Sequence, residues 1–268
     1  MITADYHVHS DFSSDSTAPM EEMIERAIEL GFERICFTDH MDYDFPEDSP
    51  LTFEFDPFAY HAKLNLLKEQ YQGKIKILKG IELGLRPYLA ERYHVLMNQY
   101  DFDFAIGSTH LVGTMDPYHQ SYWEEVSEEE GITNYFQSII DNIHAFQDFD
   151  VYGHLDYVVR YAPSKNANYS YEKYRIILDQ VLSTIIKADK GIEINTSGYK
   201  YGLGQSHPKS DIIKRYLELG GTIITIGSDG HKPEHLAYDF ASAREVLLSL
   251  GVDSYTIFEG RKPSFIKL

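Results

Sequence analysis

"ADYHVHSDFSSDSTAPMEEMIERAIELGFERICFTDH", residues 4–40, holds the reading on which the fold turns. A short run (4 to 9) and a second apolar run (34 to 40) flank an amphipathic stretch with helix signals at both ends. Ser16 or Thr17 reads as the cap, Pro19 falls near the first helical position, acids fill the first turn and Gly31 is the stop. Strand, helix and strand in this order make one βα crossover, and such a crossover leaves its two strands parallel. Within the first strand, side chains alternate, so His7 and His9 point to the same side and can share one target.

The alternation continues to the end of the chain. Further strand-like runs cover 75 to 83, 102 to 110, 150 to 156, 191 to 197 and 222 to 231, and "SYTIFEG" adds a short late strand. Helical stretches lie between them at about 57–72, 88–99, 132–146, 171–188, 208–219 and 238–250. Seven βα units in series predict a parallel sheet, and right-handed crossovers favour either a barrel or an open doubly wound sheet. No linker or low-complexity tract divides the 268 residues, so one domain over 1–268 is expected. Two longer excursions, about 41–56 and 111–131, follow strands and are rich in aromatics and acids; loops of that length usually carry function.

Forty-two acidic against 24 basic residues give a formal charge of −18, which argues against nucleic acid or an anionic membrane as the principal partner. Carboxylates that ligate a cation would count within that sum. Cys36 is the only cysteine, so an intrachain disulfide is excluded and a reducing compartment is expected. The N-terminal stretch has no signal-peptide pattern and no apolar run approaches the ~20 residues needed to span a bilayer. These features together predict a cytoplasmic protein. No feature of the sequence specifies an oligomeric state.

Metal-ligand residue types fall at the strand ends. Strand one ends in His7 and His9, strand two in "TDH" with His40, strand three in "GIEL" with Glu82, and strand four in "GSTH" with His110. Strand five carries His154 in "GHLD", strand six ends in "NTS", and strand seven ends in "GSDGH" with Asp229 and His231. In an α/β barrel the carboxyl ends of the strands meet at one face, where these residues would converge on one pocket. Asp15 adds a ninth donor, more than one zinc ion takes, but enough for two or three ions if Glu82 bridges. Imidazoles mixed with carboxylates and no thiolate suit zinc, iron or manganese. Asp5 and Asp39, each beside a proposed ligand, are candidates to accept the second ring N–H of a ligating histidine.

At these residues the chain resembles the polymerase and histidinol phosphatase (PHP) family of metallophosphoesterases. The matching motifs are "HVHS", "FTDH", the Glu of "GIEL", "GSTH", "GHLD" and "GSDGH". The resemblance implies a distorted (β/α)7 barrel with a trinuclear metal site at the C-terminal ends of the strands. It places His7, His9, Glu82 and Asp229 on one ion, Glu82, His110 and His154 on a second, and Asp15, His40 and His231 on a third. Asp15 departs from the histidine of many members. "GHLDYVVRYAP" followed by "IEINTSG" is similar to the histidinol-phosphate phosphatases of the family, which implies a small phosphate monoester, L-histidinol phosphate, as substrate.

A hydroxide bridging two ions, with Glu82 and Asp229 as bridging and terminal ligands, is the expected nucleophile, and the cations would clamp the phosphoryl oxygens. Arg160, six residues after His154, can act as a forked donor to phosphate. Ser197 is a candidate to add a hydrogen bond, and His207 to bind phosphate or protonate the leaving alkoxide. Asp42 and Asp44, in the loop "MDYDFPEDSP", are candidates to hold the cationic groups of the substrate. The rival readings are a PHP-type phosphoesterase acting on nucleotides or nucleic-acid ends, for which a nuclease should show a basic groove, and an amidohydrolase-like metal hydrolase. The latter would not call for His40, Glu82 and His231 together.

Overall fold

The computed structural model describes residues 1–46 and 51–268. Eight strands make one parallel sheet: β1 (Ala4–Val8), β2 (Arg34–Phe37), β3 (His40–Met41), β4 (Lys76–Gly84), β5 (Phe104–Ser108), β6 (Val151–Tyr152), β7 (Gly191–Asn195) and β8 (Ile224–Gly227). Neighbours run β1-β2-β4-β5-β6-β7-β8, and β3 pairs with β4 just beyond β2. Strands β2 and β3 therefore occupy one place, and the sheet has seven. Its two edges meet where the N–H of His9 donates to the carbonyl of Gly230 at 2.9 Å and the N–H of Gly230 to that of His7 at 3.2 Å. The result is a nearly closed seven-place barrel, joined at the C-terminal ends of its strands.

The wider gap between β1 and β8 at the opposite end is filled by a hairpin of β9 (Ser254–Glu259) and β10 (Lys262–Lys267). Tyr6 donates to the carbonyl of Phe258 at 2.7 Å, and the N–H of Ile224 donates to the Thr256 hydroxyl at 3.0 Å. The Tyr6, Phe104 and Phe258 rings pack at 5.1 and 5.2 Å to floor the barrel. "SYTIFEG" is β9; β10 was not expected, because Pro263 weakens a strand reading everywhere except at an edge, which is where it lies.

Helices surround the sheet. α1 (Met20–Glu29) buries Met20, Met23, Ile24 and Ala27, one stripe at helical spacing. Its cap differs from expectation: Pro19 occupies that position without a side-chain cap, and the Ser16 hydroxyl donates instead to the carbonyl of His231 at 2.9 Å. The second and third helices are α2 (Pro57–Gln70) and α3 (Ala90–Gln99). After the short α4 (Ser121–Glu124), α5 (Glu128–Ala145) begins four residues before the expected 132, because Ser127 and Glu130 form a reciprocal capping box. Then come α6 (Arg175–Lys187), α7 (Ser197–Lys200), α8 (Ser210–Glu218) and α9 (Phe240–Ser249). Among the described residues no helix is long and apolar enough to cross a membrane.

Three departures from regular strands shape the upper face. The run 34–40 breaks at Thr38 and Asp39, where Thr38 bonds Val8 and the Asp39 carboxylate turns away to the serines after β1. A bulge between Asp5 and Val8 sets one extra residue of β1 against β2, a device that re-aims side chains beside functional sites. Strand β6 stops at Tyr152, well short of 156, because the N–H of His154 donates to the Glu193 carboxylate at 2.8 Å rather than to a neighbouring strand.

Candidate metal centre

Glu82 stands at the middle of the upper face, fully buried on β4. Its two oxygens look in different directions. Oε2 lies 3.1 Å from His7 Nε2, 3.5 Å from His9 Nε2 and 3.1 Å from His40 Nδ1. Oε1 lies 2.9 Å from His154 Nε2 and 3.3 Å from His110 Nε2, and also accepts from the Ser108 hydroxyl at 2.7 Å. Nearer to solvent, Asp15 approaches His231 Nε2 at 3.0 Å and His40 Nε2 at 3.8 Å. Asp229 Oδ1 is 3.5 Å from both His9 Nε2 and His231 Nδ1. The His9 ring stacks between His40 and His231, with centroids at 4.3 and 4.1 Å. All nine residues singled out as donors thus share one cluster, drawn from strand ends between positions 7 and 231.

This arrangement fits cations. His9 Nε2, His40 Nδ1 and His231 Nε2 are buried atoms without a hydrogen-bond partner among the described residues, although carboxylate oxygens stand within 3.0–3.5 Å of them. Close approach without hydrogen-bond alignment is what lone pairs show when they converge on a common point. Three sets of donor atoms gather within metal-binding reach: His7, His9 and Glu82; Glu82, His110 and His154; and His9, His40 and His231. A fourth, His40, Asp42 and His110, adds Asp42.

Electrostatics point the same way. Burial works against charge on Glu82, yet His7, His40 and His110 hold its carboxyl well below the usual range. Burial likewise opposes charge on Asp229, and the neighbouring His9, His7 and His231 outweigh it and hold its carboxyl well below the usual range. For Asp15, desolvation is overcome by His40 and His231. Burial disfavours a charged His7, but Glu193 and Glu82 raise its pKa well above the ordinary value. His9 goes the other way, lowered by burial and by the neighbouring charges of His231 and His40. The pocket keeps its carboxylates ionised, which is the field a divalent cation requires.

The outer supports differ from the sequence reading. Neither Asp5 nor Asp39 bonds a histidine ring. Asp5, whose carboxyl burial pushes up to about 6, accepts from the backbone of His7, Ser228 and Ala237 and from the Ser228 hydroxyl. Asp39 accepts from Ser10 and from the Ser13 hydroxyl at 2.7 Å, and Ser13 in turn lies 3.1 Å from His9 Nδ1. Asp39 therefore acts on His9 through Ser13. Ring partners come instead from Glu193, 2.6 Å from His7 Nδ1, and Asp42, 2.5 Å from His110 Nδ1. Glu193 also accepts from Asn195 at 3.1 Å. The chain makes room for both acids with glycine: a Cβ on Gly227 would fall 2.3 Å from Glu193 Oε1, and one on Gly84 2.3 Å from the Asp42 carboxylate.

Among the residues proposed for substrate, Arg160 lies at the edge of the donor cluster, its Nη2 3.9 Å from Asp229 Oδ2. Its guanidinium is walled by Tyr201 at 3.9 Å and Tyr157 at 5.1 Å, and it donates to Ser197 Oγ at 2.6 Å. The Ser197 hydroxyl donates to Asn195 at 2.6 Å, so this serine holds Arg160 in place and its proton is already committed. His207 is fully buried with Nδ1 2.5 Å from Asp156, which leaves Nε2 without a partner among the described residues. Asp42 is turned inward with Oδ2 on His110 and Oδ1 buried without a partner among the described residues, so it faces the metal-ligand cluster, and Asp44 sits at the surface against Arg92 at 2.5 Å. Residues 47–50 of the same loop lie outside the described set.

Glu193, Asn195, Asp156 and Lys200 are the site residues that the sequence reading passed over. Glu193 and Asn195 share a strand face, and Asp156 follows His154 by two; period-2 spacing was the available signal. Lys200, on α7, carried none.

A parallel barrel whose strand ends gather imidazoles and carboxylates around a bridging glutamate defines a barrel metallohydrolase. The PHP domain model matches residues 5–197, and the chain belongs to that family. The histidinol-phosphatase of Lactococcus lactis subsp. lactis is 31% identical over 268 residues, covering 98% of this chain and 96% of that one. A probable histidinol-phosphatase of Clostridium acetobutylicum is 31% identical over 241 residues, 89% of this chain and 90% of that protein. The crystal structure of histidinol phosphate phosphatase from Lactococcus lactis, complexed with zinc, L-histidinol and phosphate, matches with a TM-score of 0.90 at 30% identity, covering 98% of each chain.

Proposed function

We propose that this chain is a metal-dependent phosphomonoesterase that hydrolyses L-histidinol phosphate to L-histidinol and phosphate, a histidinol-phosphatase of histidine biosynthesis working in the cytoplasm. One observation carries the reading: Glu82 divides its two oxygens between two histidine sets, and Arg160 stands beside the same cluster at Asp229. The match along almost the whole chain to relatives of that activity supports the substrate. Residues 1–268 act as one catalytic domain on this reading.

The ligand sets proposed are His7, His9, Glu82 and Asp229; Glu82, His110 and His154; and Asp15, His40 and His231. When bound, divalent ions such as zinc, manganese or iron supply an acidified water and positive charge for the phosphoryl oxygens. The protein's own residues do the rest. Arg160, pinned by Ser197 and walled by Tyr201 and Tyr157, presents its remaining N–H groups to a phosphoryl oxygen without having to be ordered first. His207, oriented by Asp156, offers Nε2 to phosphate or to the leaving alkoxide. Asp15 keeps a carboxylate where many relatives have an imidazole, which preserves the contact to His231.

A turnover panel on purified protein with added manganese tests the reading: L-histidinol phosphate, a nucleoside monophosphate, a bisphosphorylated nucleoside and single-stranded DNA. Histidinol phosphate should give the highest kcat/KM, and Glu82→Ala and His154→Ala should abolish turnover and reduce bound metal. Preference for DNA, or variants that keep both turnover and metal, would overturn it.

A further inference from the structure

Lys200 ends α7 with its side chain partly buried, and its ammonium donates to the backbone carbonyl of Asp229 at 3.0 Å. No carboxylate oxygen of the described residues lies within 4.0 Å of Nζ, the reach within which the chain's other ion pairs are found. Arg160 reaches Asp229 through its carboxylate, at 3.9 Å. The Tyr201 ring is shared by the two side chains, with Arg160 Cζ 3.9 Å and Lys200 Nζ 5.0 Å from its centroid. Two protein cations are thus held around one aspartate, at the edge of a cluster suited to bind further cations.

Both cations keep donor capacity for an anion: Arg160 reaches the Asp229 carboxylate only at 3.9 Å and its Nε has no partner among the described residues, while Lys200 meets only a backbone carbonyl. A phosphate monoester is a dianion with three terminal oxygens, more than one guanidinium satisfies. We propose that Lys200 is the second protein cation on the phosphoryl group, paired with Arg160 across Tyr201, and that this pair draws a dianionic ester into a protein of net charge −18. The inference deepens the phosphomonoesterase reading and rests on it.

A purely structural alternative exists, because Asp229 has a left-handed backbone (φ 53°) that the Lys200 bond steadies. The two roles separate by measurement. Metal-loaded wild type, Lys200→Met and Lys200→Arg are compared for inorganic phosphate affinity by calorimetry, for KM and kcat on L-histidinol phosphate, for inhibition by L-histidinol, and for metal content and melting temperature. Loss of one charge-assisted contact weakens binding by roughly tenfold or more. The proposal expects that weakening in both phosphate affinity and KM for Lys200→Met, with partial recovery in Lys200→Arg and unchanged L-histidinol inhibition and metal content. Unchanged phosphate affinity overturns it, whether or not metal or stability is lost. If wild type binds phosphate but hydrolyses no phosphomonoester, the enzyme reading fails while the calorimetry still decides the role of Lys200.

Discussion

Replacing Glu193 by glutamine isolates what a carboxylate behind His7 contributes. The amide has nearly the same shape, so it keeps the tight fit over Gly227, and its oxygen can still accept from the His154 N–H and from Asn195. What changes is the group 2.6 Å from His7 Nδ1. A carboxylate there accepts the Nδ1 proton and leaves the Nε2 lone pair facing Glu82 Oε2, 3.1 Å away. An amide NH2 would favour the opposite tautomer, with its proton on Nε2 where a cation should bind. Both side chains are at most 1% exposed, so solvent cannot replace the lost bond. A buried charge-assisted hydrogen bond contributes about 1.5–3 kcal/mol, and the expected result is a fall in metal affinity of about 10- to 100-fold. Removing the Glu193 charge also lowers the raised pKa of His7 and so eases proton competition. The deficit should therefore widen as pH rises and that competition disappears. Competition of apoprotein against a chelator of known affinity, at neutral and alkaline pH, measures both effects. An affinity within twofold of wild type at alkaline pH would refute the tautomer argument.

Two further outcomes are expected. Arg160→Ala should chiefly raise KM for L-histidinol phosphate, by roughly tenfold or more for a lost charged contact; steady-state kinetics showing the wild-type KM would remove Arg160 from the substrate site. His61 on α2, wedged against Tyr100 and Phe102 at 5.0 and 4.9 Å, has its pKa lowered by burial to about 4. Its contribution to stability is complete above the unfolded value near 6.5 and is lost as pH falls from there towards 4. Urea unfolding of wild type and His61→Leu across that window should show the wild type losing more stability on acidification. A difference between the two proteins that stays constant with pH counts against the assignment.

Much of this molecule was legible before any coordinates. Repeated strand and helix signals implied parallel strands, and parallel strands in a barrel deliver their C-terminal ends to one face whatever the details of packing. His7, His9, Asp15, His40, Glu82, His110, His154, Asp229 and His231 could be gathered on that ground, and the structure places all nine in one cluster. The two long loops were visible as well. The roles of their acids were not, since the residue type does not tell that Asp42 turns inward to His110 while Asp44 stays at the surface against Arg92.

Periodicity reports which face of an element a side chain occupies; it does not report which group stands opposite. The sequence by itself determined the βα order, the donor chemistry and the address of the donors. Only the closed barrel decided that Glu193 of β7 would lie behind His7 of β1, that Ser13 would link Asp39 to His9, and that Lys200 would meet Asp229. Those partners are 186, 4, 26 and 29 positions apart in the chain. Apart from the single short-range link, they become neighbours through strand order and barrel closure, which rest on the packing of the whole sheet and leave no local pattern to read.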